Sequence, residues 1–136
     1  MPDTDIAHLT DRFMRRIHAS LSARAHIFDT HKVGPIGGML LLTLAECEPA
    51  KVQDLVAQVA RDKSQVTRLV KTLETKGLIV RKGDVQDARV WRLTLTDLGR
   101  DTVRELQTAI AEALSDILSP LEADERETLR NLLRRL

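Results

Sequence analysis

Between Lys63 and Lys71 the chain gathers Lys63, Ser64, Gln65, Thr67, Arg68 and Lys71, side chains that donate hydrogen bonds. Their chemistry suits a duplex groove: Arg pairs with guanine, Gln with adenine, and Ser and Thr with bases or phosphates. Polar residues of the same types decorate any solvated helix, so the set gains meaning only if neighbouring elements present it to a duplex. Catalytic chemistry is not indicated. Ser, His and Asp all occur, but none is spaced or flanked as a nucleophile elbow, a phosphate loop or a metalloprotease helix would be, and the chain reads as a non-enzyme. His8, His18, His26 and His31 make no metal motif, because no Cys or second His at i+4 completes a tetrahedral set. Neither a metal nor a cofactor is expected.

The donors need a helix to hold them. Val66, Leu69, Val70 and Leu73 fall at i, i+3, i+4 and i+7, which turns one face to a core and leaves the polar set outside. Asp62 stands at the N-cap with Gln65 as a capping-box partner, and Gly77 closes the helix in the left-handed conformation. Upstream, Val52, Leu55, Val56 and Val59 predict a second amphipathic helix, opened by Pro49 and joined to the first by a turn at Ala60 and Arg61. Downstream, Ile79 to Arg81 predicts a strand, Gly83 to Arg89 a polar, protruding and mobile loop, and Val90 to Leu95 a returning strand. In that second strand Trp91, Leu93 and Leu95 make the buried face. The fold class is mainly α with a small β-hairpin wing, a winged helix-turn-helix.

Charge points the same way. The chain is only +1 overall, yet residues 61–92 hold nine Lys and Arg against four acids, net +5, which leaves the remainder at −4. Positive charge concentrated on one helix and its hairpin is the footprint of a nucleic-acid binder, with double-stranded DNA as the implied partner.

The run DKSQVTRLVKTLETKGLI from Asp62, the pattern Asp87, x, Arg89 leading to Leu95, Thr96 and Gly99, and the ending LSPLEADERETLRNLLRRL resemble the MarR family of winged-helix transcription regulators over nearly the whole chain. The resemblance implies that Ser64, Gln65, Thr67 and Arg68 face the major groove, with Lys63 and Lys71 completing the DNA-binding set. It also implies that Asp87 braces Arg89, and that Arg89 enters the adjacent minor groove, where narrow A·T-rich DNA concentrates negative potential. Repression, a pseudo-palindromic operator and release by a small-molecule effector such as an aromatic anion are implied as well. Arg12, Arg15 or Arg16 would then pair with a ligand carboxylate, although a solvated basic face or an interchain salt bridge is the plainer reading of these arginines. Three departures stand out: Val85 where such wings often have Pro, Ala88 where Arg is common, and VGPIGGMLLL from Val33 in place of a polar helix start.

At 136 residues and 43% hydrophobic content, a single domain over residues 1–136 is expected, with a winged lobe at 33–96 and helical dimerisation regions at 1–30 and 97–136. The aromatics are Phe13, Phe28 and Trp91 alone, so the core must be aliphatic. Ile6, Leu9, Phe13, Ile17 and Leu21 stripe an N-terminal helix; Val103, Leu106, Ile110, Ala113 and Ile117 stripe a later one; and Leu129, Leu132, Leu133 and Leu136 follow Pro120. These stripes read as seams of a C2 homodimer, which would set two reading helices one DNA turn apart. The polar start MPDTDIAHL and the lack of a membrane-length apolar run predict a cytoplasmic protein. The lone Cys47 excludes an intramolecular disulfide and reads as a buried, inert thiol, not a redox sensor. A reading from another class is a winged-helix protein-interaction module without specific DNA binding, which would lack steep salt dependence with DNA.

Overall fold

Leucine and valine at helical spacing set the architecture. A computed structural model of the chain describes residues 1–24, 33–59 and 61–136. In order they form α1 (Thr4–Ser22), α2 (Gly34–Cys47), α3 (Val52–Val59), α4 (Lys63–Thr75), β1 (Ile79–Gly83), β2 (Trp91–Leu95), α5 (Asp97–Ile117) and α6 (Ala123–Arg134). Phe28, His26, His31 and the turn residue Ala60 lie outside the described residues. Two compact units result, one of residues 25–107 and one combining residues 1–24 with 108–136. Among the described residues no helix is long and apolar enough to cross a membrane.

The winged-helix unit is built on a continuous aliphatic core. Leu40, Leu41 and Leu44 of α2, Leu55 of α3 and Val66, Val70 and Leu73 of α4 are almost fully buried. Burying each such side chain stabilises the fold by about 1.5–3 kcal/mol. Val103 and Leu106, read from the sequence as part of a dimer seam, join this core from the first half of α5. Pro35 lies in the first turn of α2, so the apolar segment around Gly34 to Gly38 is simply the start of that helix. Helix α3 starts after Pro49, at Val52, and its start is fastened by Asp54 of the first turn, whose Oδ2 accepts from the Lys51 N–H at 3.0 Å.

Beyond α4 the chain reverses in a Schellman turn. The Leu78 N–H donates to the Leu73 carbonyl at 3.0 Å and the Gly77 N–H to Glu74 at 2.9 Å, with Gly77 at φ +76°, where a side chain would be strained. The hairpin is antiparallel, with Ile79 opposite Leu95, Arg81 opposite Leu93 and Gly83 opposite Trp91. A feature absent from the sequence reading fastens it: Ala50 exchanges both backbone hydrogen bonds with Leu93, at 3.1 and 2.7 Å, so the chain before α3 acts as a third strand edge. Trp91 departs from expectation. It shares the parity of Leu93 and Leu95 but is 56% exposed, because it lies past the last core residue and faces a glycine.

In the terminal unit Asp3 caps α1 through the N–H groups of Asp5 and Ile6, at 3.1 and 3.0 Å. The Glu125 carboxylate accepts from the Glu122 N–H at 2.9 Å at the start of α6. Arg24 reaches Asp116 at 3.1 Å and lies 3.7 Å from Glu112, tying the end of α1 to α5. Ala109 and Ala113 are buried, whereas Ile6 (62%), Leu9, Met14, Leu132 and Leu133 (58%) stand exposed. The solvent-facing apolar stripes are therefore those of α1 and α6, while the α5 stripe is largely spent within the chain.

Candidate nucleic-acid interface

Helix α4 buries Val66, Val70 and Leu73, and the opposite face carries Lys63, Ser64, Gln65, Thr67, Arg68 and Lys71, all exposed. The helix start is held by Asp62, which accepts from Ser64 N–H at 3.4 Å and from Ser64 Oγ at 2.7 Å. Asp62 is the N-cap as expected, but its side chain is met by Ser64, and among the described residues Gln65 makes no capping-box bond back to it. These two bonds hold the Asp62 carboxyl below its ordinary range.

The hydroxyls are less available as donors than their residue types suggest. Ser64 donates to Asp62, and Thr67 Oγ1 donates to the Lys63 carbonyl at 2.8 Å. Each retains acceptor lone pairs, and Thr67 keeps its methyl, so both can meet an exocyclic amine or a thymine methyl without breaking a bond. Donation to bases and phosphates falls to Gln65, Arg68, Lys63 and Lys71. Arg68 spends only a long bond, 3.4 Å from Nε to the Ser64 carbonyl.

Within the basic segment three cations are internally compensated: Arg81 by Glu74 at 2.8 Å, Arg89 by Asp87 at 3.1 Å, and Arg92 by Asp84. Arg61, Lys63, Arg68, Lys71 and Lys82 make no ion pair among the described residues and are all exposed. The positive field therefore concentrates on α4, its preceding turn and the edge of β1.

The wing loop is organised by its two aspartates. Asp84 accepts from the Gln86 N–H at 2.7 Å and pairs with Arg92. Asp87 accepts from the Arg89 N–H at 3.0 Å and grips its guanidinium through Nε and Nη2, at 3.1 and 3.3 Å. The Arg89 side chain nevertheless stays 91% exposed, presented outward. The hydrogen bonds from Arg92 and Arg89, chiefly, hold the Asp84 and Asp87 carboxyls below the ordinary range. A depressed carboxylate keeps its brace at every pH above its ordinary pKa and loses it as pH falls through the lowered value. The Arg89 Nε–H resonance is therefore expected to hold its bonded position from pH 8 to 5 and to move only below about pH 4. Movement near neutrality in an NMR titration would show that Asp87 is not what holds it.

Cys47 is half-buried, donates from Sγ to the Thr43 carbonyl at 3.2 Å, and has its pKa raised by burial and by Asp54, Glu46 and Glu48. A raised pKa leaves little thiolate to react. Alkylation by iodoacetamide at neutral pH should be markedly slower for the folded chain than in urea, and equal rates would contradict this shielding. Among the described residues no group of three or more metal-ligating side chains occurs. Arg12, Arg15 and Arg16 are exposed on α1, and Arg15 is engaged with Asp11 at 3.1 Å.

One concavity went unread in the sequence. A mainly apolar pocket of about 270 Å³ is lined by Ile36, Leu40, Val59, Val66, Leu69 and Thr72, with Arg61, Gln65 and Arg68 also on its wall. It joins three helices, which no local sequence signal reports.

A helix-turn-helix with an exposed cationic helix face, followed by a two-stranded wing, defines the class of winged helix-turn-helix proteins. Residues 38–91 match the MarR family. The chain is 34% identical over 98 residues to the uncharacterized HTH-type transcriptional regulator YxaD of Bacillus subtilis, covering 72% of this chain and 68% of YxaD. It is 31% identical to YdgJ of the same organism, over 71% of this chain but only 59% of YdgJ's length. Among solved structures, a MarR family regulator from Silicibacter pomeroyi superimposes with a TM-score of 0.75 at 21% identity, covering 96% of this chain and 86% of its own. The PcaV regulator of Streptomyces coelicolor, solved in complex with its natural ligand, gives a TM-score of 0.59 at 28% identity, covering 99% and 96%. The chain belongs to the MarR family, whose members are DNA-binding transcription regulators and not enzymes.

Proposed function

We propose that this chain acts as a homodimeric repressor that reads a pseudo-palindromic operator and is released by a small-molecule ligand. The observation that carries the reading is the division of α4, with Val66, Val70 and Leu73 buried and Lys63, Ser64, Gln65, Thr67, Arg68 and Lys71 exposed on the opposite face. Each protomer inserts α4 into a major groove, where Gln65 and Arg68 read base edges and Lys63 and Lys71 neutralise phosphates. Arg89, held outward by Asp87, enters the adjacent minor groove. The exposed apolar stripes of α1 and α6 supply the dimer seam, since apolar rows of this kind mark association surfaces. Two copies then match two half-sites one DNA turn apart.

The effector seat we favour is the pocket beside α4, in preference to the solvated arginines of α1. Its apolar lining suits a ring, and Arg61 and Arg68 suit a carboxylate. Arg68 would serve both ligands, so an anion paired with it binds the DNA-free state better than the DNA-bound state. That differential affinity is what release requires.

Selection of bound sequences from a random DNA pool tests the reading, with affinities of the enriched site and a scrambled duplex measured at low and physiological salt. An enriched inverted repeat, a steep salt slope and a specificity ratio of about a thousand or more are expected. Without enrichment or salt-dependent binding, the exposed helix would instead serve a protein partner.

A further inference from the structure

The proposed reading of α4 and Arg89 leaves the exposed tryptophan unexplained. Residues opposite one another in an antiparallel pair share a face, so Ile79 and Leu95, Arg81 and Leu93, and Gly83 and Trp91 all lie on one side of the hairpin. That side is the one turned toward α4, because Arg81 reaches across to Glu74 of that helix at 2.8 Å. Trp91 continues this face past Leu93, the last core residue in its direction, and ends up 56% exposed. Gly83 opposite has no side chain to cover it. The indole N–H makes no hydrogen bond among the described residues. Arg89, two residues earlier, is outward and cationic.

A single sugar-phosphate strand separates the major groove from the neighbouring minor groove. If α4 occupies one and Arg89 the other, that strand would run between them, along the side of the hairpin turned toward α4, where Trp91 stands. We propose that Trp91 is a DNA-backbone contact, its ring packed on a deoxyribose and its N–H donating to a phosphate oxygen of that strand. The contact is neutral and reads no base. It adds affinity without sequence preference and releases no counterion.

This inference rests on the DNA-binding reading, and the test separates the two. Trp91 is the sole tryptophan and the chain has no tyrosine, so its emission reports this site alone. The enriched duplex and a scrambled duplex are titrated into the native chain while emission and, separately, anisotropy of labelled DNA are followed. Emission should be quenched with the same midpoint as the anisotropy change. Trp91→Ala should weaken both duplexes by about tenfold, with the salt slope and the specificity ratio unchanged. Trp91→Phe keeps a ring but loses the N–H and should fall between. Thermal unfolding should show both variants folded, as expected for an exposed side chain.

Binding at native affinity by Trp91→Ala, while Lys71→Ala weakens it, would overturn the Trp91 contact and leave DNA binding standing. A native chain that binds neither duplex would overturn both. An emission change on dilution without DNA would place a second copy of the chain on Trp91 and overturn the assignment.

Discussion

Alanine at Gly99 is expected to destabilise the winged-helix unit by about 3 kcal/mol, toward the upper end of what overpacking costs. A Cβ built on Gly99 would sit 2.1 Å from the Leu78 carbonyl oxygen, 3.1 Å from its carbon and 3.3 Å from Leu95 Cδ2. The leucine side chain can give, but the carbonyl cannot move freely. Its oxygen accepts from the Thr96 N–H at 3.1 Å, and Leu78 itself closes the turn after α4 through its bond to Leu73. Thr96 locks the same junction from the other side. Its Oγ1 donates to the Gly77 carbonyl at 2.6 Å and accepts from the Gly99 N–H at 3.0 Å, capping α5. Relief of the clash would push α5 away from the turn and break this exchange. The measurement is urea unfolding of Gly99→Ala beside Gly83→Ala. At Gly83 the nearest atom to a built Cβ is the Ala88 carbonyl oxygen, 3.8 Å away, so that variant should stay within about 0.5 kcal/mol of the parent. Similar stability for both variants would rule out the close approach at Gly99.

Arg68→Ala is expected to cost about 1–3 kcal/mol of operator binding and to relax base preference, whereas Lys71→Ala should weaken binding to all sequences and lower the salt slope by roughly one. The two residues are neighbours on one exposed face, so the difference is chemical. Arginine presents a planar fork that matches the O6 and N7 of guanine, while a lysine ammonium acts as a point charge toward phosphate. Arg68 is held by its Nε bond to the Ser64 carbonyl near the start of α4, the end proposed to enter the groove. Competition binding with the enriched site and its single-base variants separates the roles. Equal losses on operator and scrambled DNA for Arg68→Ala would remove it from base reading. Because Arg68 also lines the apolar pocket, the same variant should bind a pocket-seated aromatic carboxylate more weakly, and normal ligand affinity would move the effector elsewhere.

Much of the architecture around the candidate interface was legible because its signals are local. The buried spacing of Val66, Val70 and Leu73, the Asp62 cap and the Gly77 terminus all act within one or two helical turns, and they oriented the exposed donors. The antiparallel hairpin was readable from alternation, and the gathering of positive charge from counting. Errors arose where two distant segments meet. Trp91 followed the alternation of its strand, but the core ends at Leu93 and the residue opposite is Gly83. Val103 and Leu106 looked like a seam for a second copy, since a helical stripe does not say whether its partner lies in the same chain.

The sequence by itself therefore determined the helices, the wing, the exposed polar face of α4 and its charge, because propensity, capping and periodicity operate over a few residues. Only the tertiary structure decided how these parts are joined and which of them remain exposed. It placed Ala50 beside Leu93, fitted Gly99 under the Leu78 carbonyl, opened a pocket between three helices and left Trp91 uncovered toward α4. Each of these depends on how complete elements pack and not on the residue types of one segment alone.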